Sequence, residues 1–194
     1  GPRRRIAALG PAALASPEGS SGRWGRPGVG PMIAIAPIAL EHAPGFHACL
    51  DSVARERRYL AQTQALPLER IEGFVRDSVA NDAVQFVALD GDRIVGWADI
   101  FPDWADAVQH CGTLGMGVHA QYRAQGIGER LLRACLDKAP RKGITRVTLE
   151  VRADNERAIR LYQRVGFARE ALMRHAMRFD GVYYDAEKMS LLIE

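Results

Sequence analysis

The stretch QYRAQGIGERLL, residues 121–132, places Gly126 and Gly128 directly before a run with helical apolar spacing. Small residues at a helix start let an anion approach the first backbone amides, which have no partner within the helix. The N–H groups from Gln125 to Glu129 could hold a pyrophosphate, whose charge the helix dipole favours. Arg123 is expected to add a charged contact. The remaining positions of this predicted phosphate cradle are Ala124 and Ile127.

The glycine pair also has a plainer interpretation, a tight strand-to-helix connection that binds nothing. Three other phosphate-binding motifs are excluded by the neighbouring residues. A dinucleotide fold needs a third glycine after two intervening residues, and a P-loop needs Gly-Lys-Ser/Thr. A kinase glycine loop lies in a hairpin and not at a helix start. Because no metal ligands accompany the turn, the pyrophosphate is expected to be bound and not cleaved, with no metal.

A second candidate segment, DNERAIRLYQRVGF at residues 154–167, has helical spacing. Asp154 or Asn155 is the expected N-cap, and Gly166 is the expected stop. Tyr162 follows Asn155 by seven residues and so lies on nearly the same helix face. Spacing alone does not decide whether Tyr162 packs in the core or reaches a ligand.

Together the two segments resemble the signatures of the GNAT superfamily of N-acetyltransferases. VHAQYRAQGIGERLL resembles its acyl-CoA pyrophosphate loop, Q/R-x-x-G-x-G/A, with Arg123, Gly126 and Gly128 at the defining positions. LEVRADNERAIRLYQRVGF resembles the second signature, with Asn155 and Tyr162 in the expected places. The resemblance covers essentially residues 32–194, and two spaced motifs in the right order are more specific than either alone.

The resemblance implies acetyl-CoA as cosubstrate, a primary amine as acceptor and direct transfer without a covalent enzyme intermediate. The strand LGMGVH would separate from its parallel neighbour RVTLEV and open a cleft for pantetheine. Backbone groups at Met116, Gly117 and Val118 would pair with the pantetheine, and one amide there would polarise the thioester carbonyl. Tyr162 would protonate the departing thiolate, and Asn155 would hydrogen-bond the cofactor. A β-bulge without a ligand is the alternative explanation for the strand glycines.

The general base is the least specified residue of the predicted site. Many members of this family carry a glutamate early in the fourth strand, but HCGTLG, residues 110–115, contains no carboxylate. His110 is the best substitute, because an imidazole titrates near neutrality. A loop histidine without a catalytic role is the alternative. His119 is expected to be exposed, and Asp103 and Asp106 could bind a substrate ammonium.

The elements that must position these residues alternate from Met32 onward in the order β-α-α-β-β-β-α-β-α-β-β. Asp90-Gly91 and Asp180-Gly181 predict hairpin turns, and Pro37 favours an edge position for the first strand. Hairpins combined with two crossover helices predict an α/β (α+β) fold. We expect a GNAT-like central mixed β-sheet with a splayed strand pair, flanked by helices.

The chain has 194 residues, 47% of them hydrophobic and 25% charged, which predicts one globular domain over residues 32–194. Residues 1–31 contain five arginines and one glutamate, so the net charge of +3 becomes −1 for the remainder. This balance argues against a nucleic-acid-binding domain. The Gly/Pro/Arg-rich residues 1–31 are expected to be a disordered extension, with Met32 a candidate native start.

Three scattered cysteines predict neither a disulfide framework nor a metal site, so a cytoplasmic location is the default. No apolar run approaches the roughly 18 residues that span a bilayer, and residues 1–31 lack the apolar core of a secretory signal. The expected partners are therefore acetyl-CoA and an amine, not nucleic acid or membrane. Exposed edges of the C-terminal hairpin could pair into a homodimer.

The sequence leaves the acceptor open among a free amino acid, a small amine and a protein N-terminus. A different class of function also stays open, a catalytically weak acyl-CoA-binding sensor or interaction module, because the fourth strand lacks the expected carboxylate.

Overall fold

The computed structural model describes residues 32–193, so the predictions made for residues 1–31 lie outside the described part of the chain. Its strands and α-helices follow the predicted order. They are β1 (Ala34–Pro37), α1 (Ala43–Arg55), α2 (Leu68–Ala80), β2 (Val84–Asp90), β3 (Arg93–Pro102), β4 (Cys111–Val118), α3 (Ile127–Lys138), β5 (Arg146–Arg152), α4 (Glu156–Val165), β6 (Ala168–Phe179) and β7 (Val182–Leu192).

The strands form one seven-stranded sheet in the order β1-β2-β3-β4-β5-β7-β6. Among the described pairs, β4 and β5 run parallel, and the other neighbours run antiparallel. The predicted mixed sheet is therefore confirmed, and β1 with Pro37 is an edge strand. Within residues 32–193, no helix combines the length and the apolar character that crossing a bilayer requires.

Each face of the sheet is covered by a pair of helices, because side chains alternate between the two faces of every strand. On one face, Leu131 of α3 and Tyr162 of α4 pack in a core with Met116 and Leu149. On the other face, Phe46 of α1 joins α2 in a second core. The helices α3 and α4 thus lie on one face of the sheet at the β4–β5 junction, and α1 and α2 lie on the other.

The local turn chemistry explains where the hairpins form. Gly91 follows β2 with a φ of 58°, and β3 begins two residues later. Between β6 and β7, Asp180 and Gly181 have φ values of 50° and 84°. Positive φ at both central positions matches the twist of a two-residue hairpin. Both predicted hairpins are therefore present.

Candidate active site

Strands β4 and β5 open into a split after a short paired segment. They pair over three residue pairs, from Cys111–Arg146 to Thr113–Thr148, although β4 has eight residues and β5 has seven. The carboxyl-terminal halves, Leu114–Val118 and Leu149–Arg152, continue beyond this pairing. The parallel pair therefore leaves strand edges directed at a gap within the sheet, which we call the split.

The backbone groups that face the split follow from the alternation of hydrogen bonds along β4. Cys111 accepts a bond from the Asp103 N–H, and the His119 N–H donates to Val95, both toward β3. Because alternate residues bond to opposite neighbours, Gly117 also bonds toward β3. Met116 and Val118 present their N–H and C=O groups to the split. Of the three positions whose backbone was predicted to pair with pantetheine, Met116 and Val118 thus face the split and Gly117 does not.

Gly117 is a glycine because of a packed indole. A Cβ at this position would lie 2.3 Å from Cη2 of Trp97, and Trp97 is fully buried. The β3–β4 register runs without a shift from Gly96–Val118 to Pro102–Gly112. The β-bulge considered as an alternative is therefore not present. Gly117 allows the sheet to lie close to the Trp97 ring beside the split.

The predicted phosphate cradle forms the start of α3. Gly126 is the N-cap, with a φ of 75°, and its carbonyl accepts a bond from the Arg130 N–H at 3.1 Å. The N–H groups of Ile127, Gly128 and Glu129 belong to the first turn, so no residue of α3 can pair with them. Ala124, Gln125 and Gly126 lie at the exposed surface. The first-turn N–H groups can therefore donate hydrogen bonds to an anion that approaches from solvent.

Gly128 connects the cradle to the split. This glycine is buried, and a Cβ added to it would lie 3.2 Å from Cε of Met116. The start of α3 therefore lies against the split-facing part of β4. The two glycines have different physical requirements, positive φ at Gly126 and close packing at Gly128. A ligand that lies in the split can extend directly to the helix start.

Arg123 has partners other than those expected from the sequence. Its Nη1 donates to Glu56 at 2.8 Å, its Nη2 contacts the other oxygen of Glu56, and its Nε donates to the Val118 carbonyl at 2.9 Å. Its side chain is 2% exposed. The guanidinium is therefore held inside the protein by an ion pair with Glu56, the residue that follows α1, and its expected contact with phosphate stays a prediction.

Glu129 places a negative charge in the first turn of α3, but two arginines compensate it. Arg133 lies 2.8 Å from one carboxylate oxygen, and Arg164 lies 3.5 Å from the other. The hydrogen bond from Arg133 lowers the pKa of Glu129. The carboxylate is consequently ionised and paired, and the helix dipole remains available to a bound anion.

Asn155 and Tyr162 are both positioned by α4. Asn155 is the N-cap, and its side-chain oxygen accepts a bond from the Ala158 N–H at 3.2 Å. Gly166 ends the helix in the left-handed region, so both helix boundaries match the prediction. Tyr162 is fully buried, and its ring centroid lies 5.8 Å from that of Phe167. It packs in the same core as Met116 of β4 and Val151 of β5, the two strands that form the split.

His110 lies at the closed end of the β4–β5 pair. Its carbonyl accepts bonds from the Thr145 and Arg146 N–H groups, and its Nε2 lies 3.5 Å from the Cys111 sulfur. Six residues of strand separate His110 from Met116, a distance of about 20 Å. The structure thus does not bring His110 to the split. Asp103 precedes it at the same end of the strand pair.

Glu150 is a candidate that the sequence analysis missed. It lies on β5 two residues beyond Thr148, and its side chain is exposed while Leu149 and Val151 are buried. It therefore projects from the face opposite α3 and α4, beside the open part of the split. The exposed position within TRVTLEV was visible in the sequence, but the register with β4 was not. Among residues 32–193, no group of His, Cys, Asp and Glu is arranged to hold a metal ion.

Residues 46–167 of the chain match the acetyltransferase (GNAT) family. N-alpha-acetyltransferase 30 of Schizosaccharomyces pombe is 38% identical over 85 residues, which are 43% of this chain and 57% of that protein. N-alpha-acetyltransferase RimI of Mycobacterium tuberculosis is 50% identical over 94 residues, which are 48% of this chain and 58% of that protein. The matches therefore span less than two thirds of either relative.

Solved structures share the whole fold. A GNAT-family acetyltransferase from Streptococcus pneumoniae superposes with a TM-score of 0.78 at 25% identity, covering 84% of this chain and all of that one. The acetyltransferase yncA from Salmonella typhimurium, solved with acetyl-CoA, has a TM-score of 0.78 at 16% identity. It covers 84% of this chain and 94% of its own. The second likeness concerns the fold alone.

Proposed function

Since the chain belongs to the acetyltransferase (GNAT) family, we propose that it transfers an acetyl group from acetyl-CoA to an amine. The observation that carries this proposal is the split between β4 and β5 with the α3 start beside it. An extended pantetheine arm fits the unpaired strand edge, and a pyrophosphate fits the free amides. The residues present therefore suit acetyl-CoA.

The backbone of β4 would bind and activate the donor. The N–H and C=O groups of Met116 and the N–H of Val118 pair with the pantetheine amides as an added strand would, while the Val118 carbonyl accepts from Arg123. One of these amides also polarises the thioester carbonyl, whose oxygen gains negative charge as the amine attacks. The amides of Ile127, Gly128 and Glu129 hold the pyrophosphate. Gly117 keeps the β4 backbone against Trp97 and so fixes this edge.

Tyr162 would serve as the general acid. The C–S bond breaks as the tetrahedral intermediate collapses, and the CoA sulfur leaves as a thiolate that takes the hydroxyl proton. The burial of Tyr162 in the core that contains Met116 of β4 and Val151 of β5 supports this role, because a dry site strengthens proton transfer to a charged sulfur. Asn155 begins the same helix and orients it through its N-cap bond.

Glu150 would accept the proton of the acceptor amine, directly or through one water. An α-amine, whose pKa is about 8, is mostly protonated at neutral pH and must lose a proton before it attacks. Glu150 provides a carboxylate beside the split on the face opposite Tyr162, whereas His110 lies about 20 Å of strand away from Met116. We therefore assign the base to Glu150 and not to His110. With Glu150 as the base, the missing carboxylate of the fourth strand no longer favours a catalytically weak sensor.

For the acceptor, we propose the α-amino group of a polypeptide. The support is that two relatives carry the name N-alpha-acetyltransferase. A third, [ribosomal protein bS18]-alanine N-acetyltransferase of Escherichia coli, is 37% identical over 60 residues, which are 31% of this chain and 40% of that protein. An α-amine is also less basic than a lysine, so its deprotonation requires less assistance.

The test is CoA release and product mass with a panel of amines. The panel includes a peptide with a free N-terminus and single amino acids. It also includes the same peptide with its N-terminus blocked and a lysine side chain left unblocked. Acetylation of only the free N-terminus supports the proposal. Turnover confined to free amino acids or to the lysine side chain would show that the acceptor is not a peptide α-amine. No turnover on any amine would reject acetyl transfer.

A further inference from the structure

The connection between α1 and α2, residues 56–67, is fastened at its start to the end of β4; we call this connection the strap. Glu56 pairs with Arg123 through both of its oxygens. The Arg123 guanidinium also lies 5.0 Å from the centre of the Tyr59 ring. Tyr59 and Leu60 are buried in the core formed by α1 and α2. The first part of the strap is therefore packed and charge-paired.

Arg123 joins three parts of the protein at this point. Its Nε bonds to the carbonyl of Val118, a group that the strand alternation directs toward the split. Its backbone leads directly into Ala124 and the phosphate cradle. Its terminal nitrogens hold the strap through Glu56. A displacement of the cradle would thus reach the strap through one side chain.

The strap is fastened again on the far side of β5. Nη2 of Arg57 donates to Asp180 at 2.8 Å, and Asp180 lies in the turn between β6 and β7. In the sheet, β5 lies between β4 and β7. A segment tied to the end of β4 and to the β6–β7 turn therefore crosses the open end of the split, on the α1/α2 face.

The final residues of the strap return to α1. The Ala65 N–H donates to a carboxylate oxygen of Asp51 at 2.9 Å, and the His47 ring lies 3.0 Å from the Leu66 carbonyl. The far end of the strap is thus fixed to α1, while its first two residues, Glu56 and Arg57, contact the two sides of the split. The strap is held as a wall and not as a free loop.

We propose that Arg123 is a positioning residue that couples the acetyl-CoA cradle to this wall on the acceptor side. The proposal rests on the proposed function, because it assigns the α1/α2 face of the split to the acceptor. Arg123 is 2% exposed while Glu56 is 29% exposed, so loss of Glu56 leaves a buried guanidinium without its counter-charge. The strap then moves away from the split, and the acceptor site loses its wall.

The coupling also has a reciprocal consequence. Acetyl-CoA that orders the cradle orders the strap through Arg123, and the bound donor then favours acceptor binding by the same factor as the acceptor favours the donor. The donor would prepare the acceptor site. The bound cofactor itself need not touch Arg123.

Glu56→Ala tests this coupling, with Glu72→Gln on the exposed surface of α2 as the matched control. We expect the acceptor KM to rise on the order of tenfold and the acetyl-CoA Kd by less than about twofold, since the buried Arg123 loses its charge partner on the strap and the cradle amides are unchanged. Glu56→Gln, which keeps a hydrogen-bond acceptor, should lie between. The control should match the wild type.

Amide hydrogen exchange supplies a readout that needs no turnover. In the wild type, saturating acetyl-CoA should slow exchange in residues 56–67, and in Glu56→Ala this protection should be lost while the cradle stays protected. A raised acetyl-CoA Kd with an unchanged acceptor KM would overturn the proposal and make Arg123 a cofactor ligand. Unchanged exchange and KM would also overturn it. If no amine is acetylated, the proposed function fails, and the exchange result still decides the coupling.

Discussion

Thr113 and Thr148 are the last residues at which β4 and β5 pair. Beyond them, Met116 and Val118 direct backbone groups into the gap. Gly128 packs the start of α3 against this edge, since a Cβ added there would lie 3.2 Å from Cε of Met116. This arrangement joins an unpaired strand edge to a set of free helix amides.

The cradle is tested by Gly126→Ala, with Gly143→Ala as its control. Both glycines have similar backbone angles, φ 75° and 76°, and neither would place a Cβ within 4 Å of another atom. Each substitution should cost about 1–2 kcal/mol of folding free energy. Only Gly126→Ala should weaken acetyl-CoA binding, measured by calorimetry, because only that Cβ would face the bound phosphate. Equal affinity in the two variants would argue against the cradle.

Tyr162→Phe tests the general acid. The substitution keeps the buried ring and removes the proton, so kcat should fall by roughly 10²–10⁴. The acetyl-CoA Kd should change little. Tyr122→Phe is the control, because it removes a hydroxyl that donates to Asp90 at the β2–β3 turn. An unchanged kcat in an assay limited by chemistry would remove Tyr162 from the mechanism.

Glu150→Gln and His110→Ala distinguish the two candidate bases. Glu150→Gln should lower kcat/KM by roughly 10²–10⁴ and abolish the acidic limb of the pH–rate profile. His110→Ala should keep both the limb and the rate, since His110 lies at the closed end of the strand pair. The opposite pattern, with the limb lost in His110→Ala, would restore the histidine as base.

Asp99→Asn tests a buried carboxyl on β3, the strand that neighbours β4. Asp99 lies opposite Gly115 on β4, is 2% exposed, and its Oδ2 has no hydrogen-bond partner among the described residues. Burial raises the pKa of Asp99 well above its usual range. The folded state therefore holds the proton more tightly, and stability is lost as pH rises from about 4 through the folded-state pKa.

Asparagine copies the shape of the neutral acid and cannot ionise. At pH 8, Asp99→Asn should therefore be more stable than the wild type by roughly 1–3 kcal/mol, and the difference should vanish below pH ~4. Denaturant unfolding across this pH range measures it. A variant that is less stable at every pH would show that the carboxylate is satisfied in the folded protein.

The element order, both hairpin turns, the start of α3 and both boundaries of α4 could be predicted because local signals determine them. Gly126 and Gly166 mark helix ends through positive φ, and Asn155 marks one through its side-chain oxygen. These signals depend on a few neighbouring residues. These local signals and the resemblance to the GNAT family predict the same fold. The family match confirms the resemblance.

The partners of Arg123 and the position of His110 could not be predicted in this way. Arg123 and Glu56 are 67 residues apart, and their ion pair depends on how α1 packs on the sheet. Whether Glu150 or His110 reaches the split depends on where the β4–β5 pairing ends. Register between distant strands is set by tertiary packing and not by local propensity.

A crystal structure with a non-hydrolysable thioether analogue of acetyl-CoA tests the central claim most directly. The account predicts pantetheine amides paired with the backbone of Met116 and Val118, and the pyrophosphate on the amides of Ile127, Gly128 and Glu129. Arg123 should still be paired with Glu56. An analogue bound elsewhere, with β4 and β5 paired beyond Thr113 and Thr148, would contradict the proposed acetyl-CoA site.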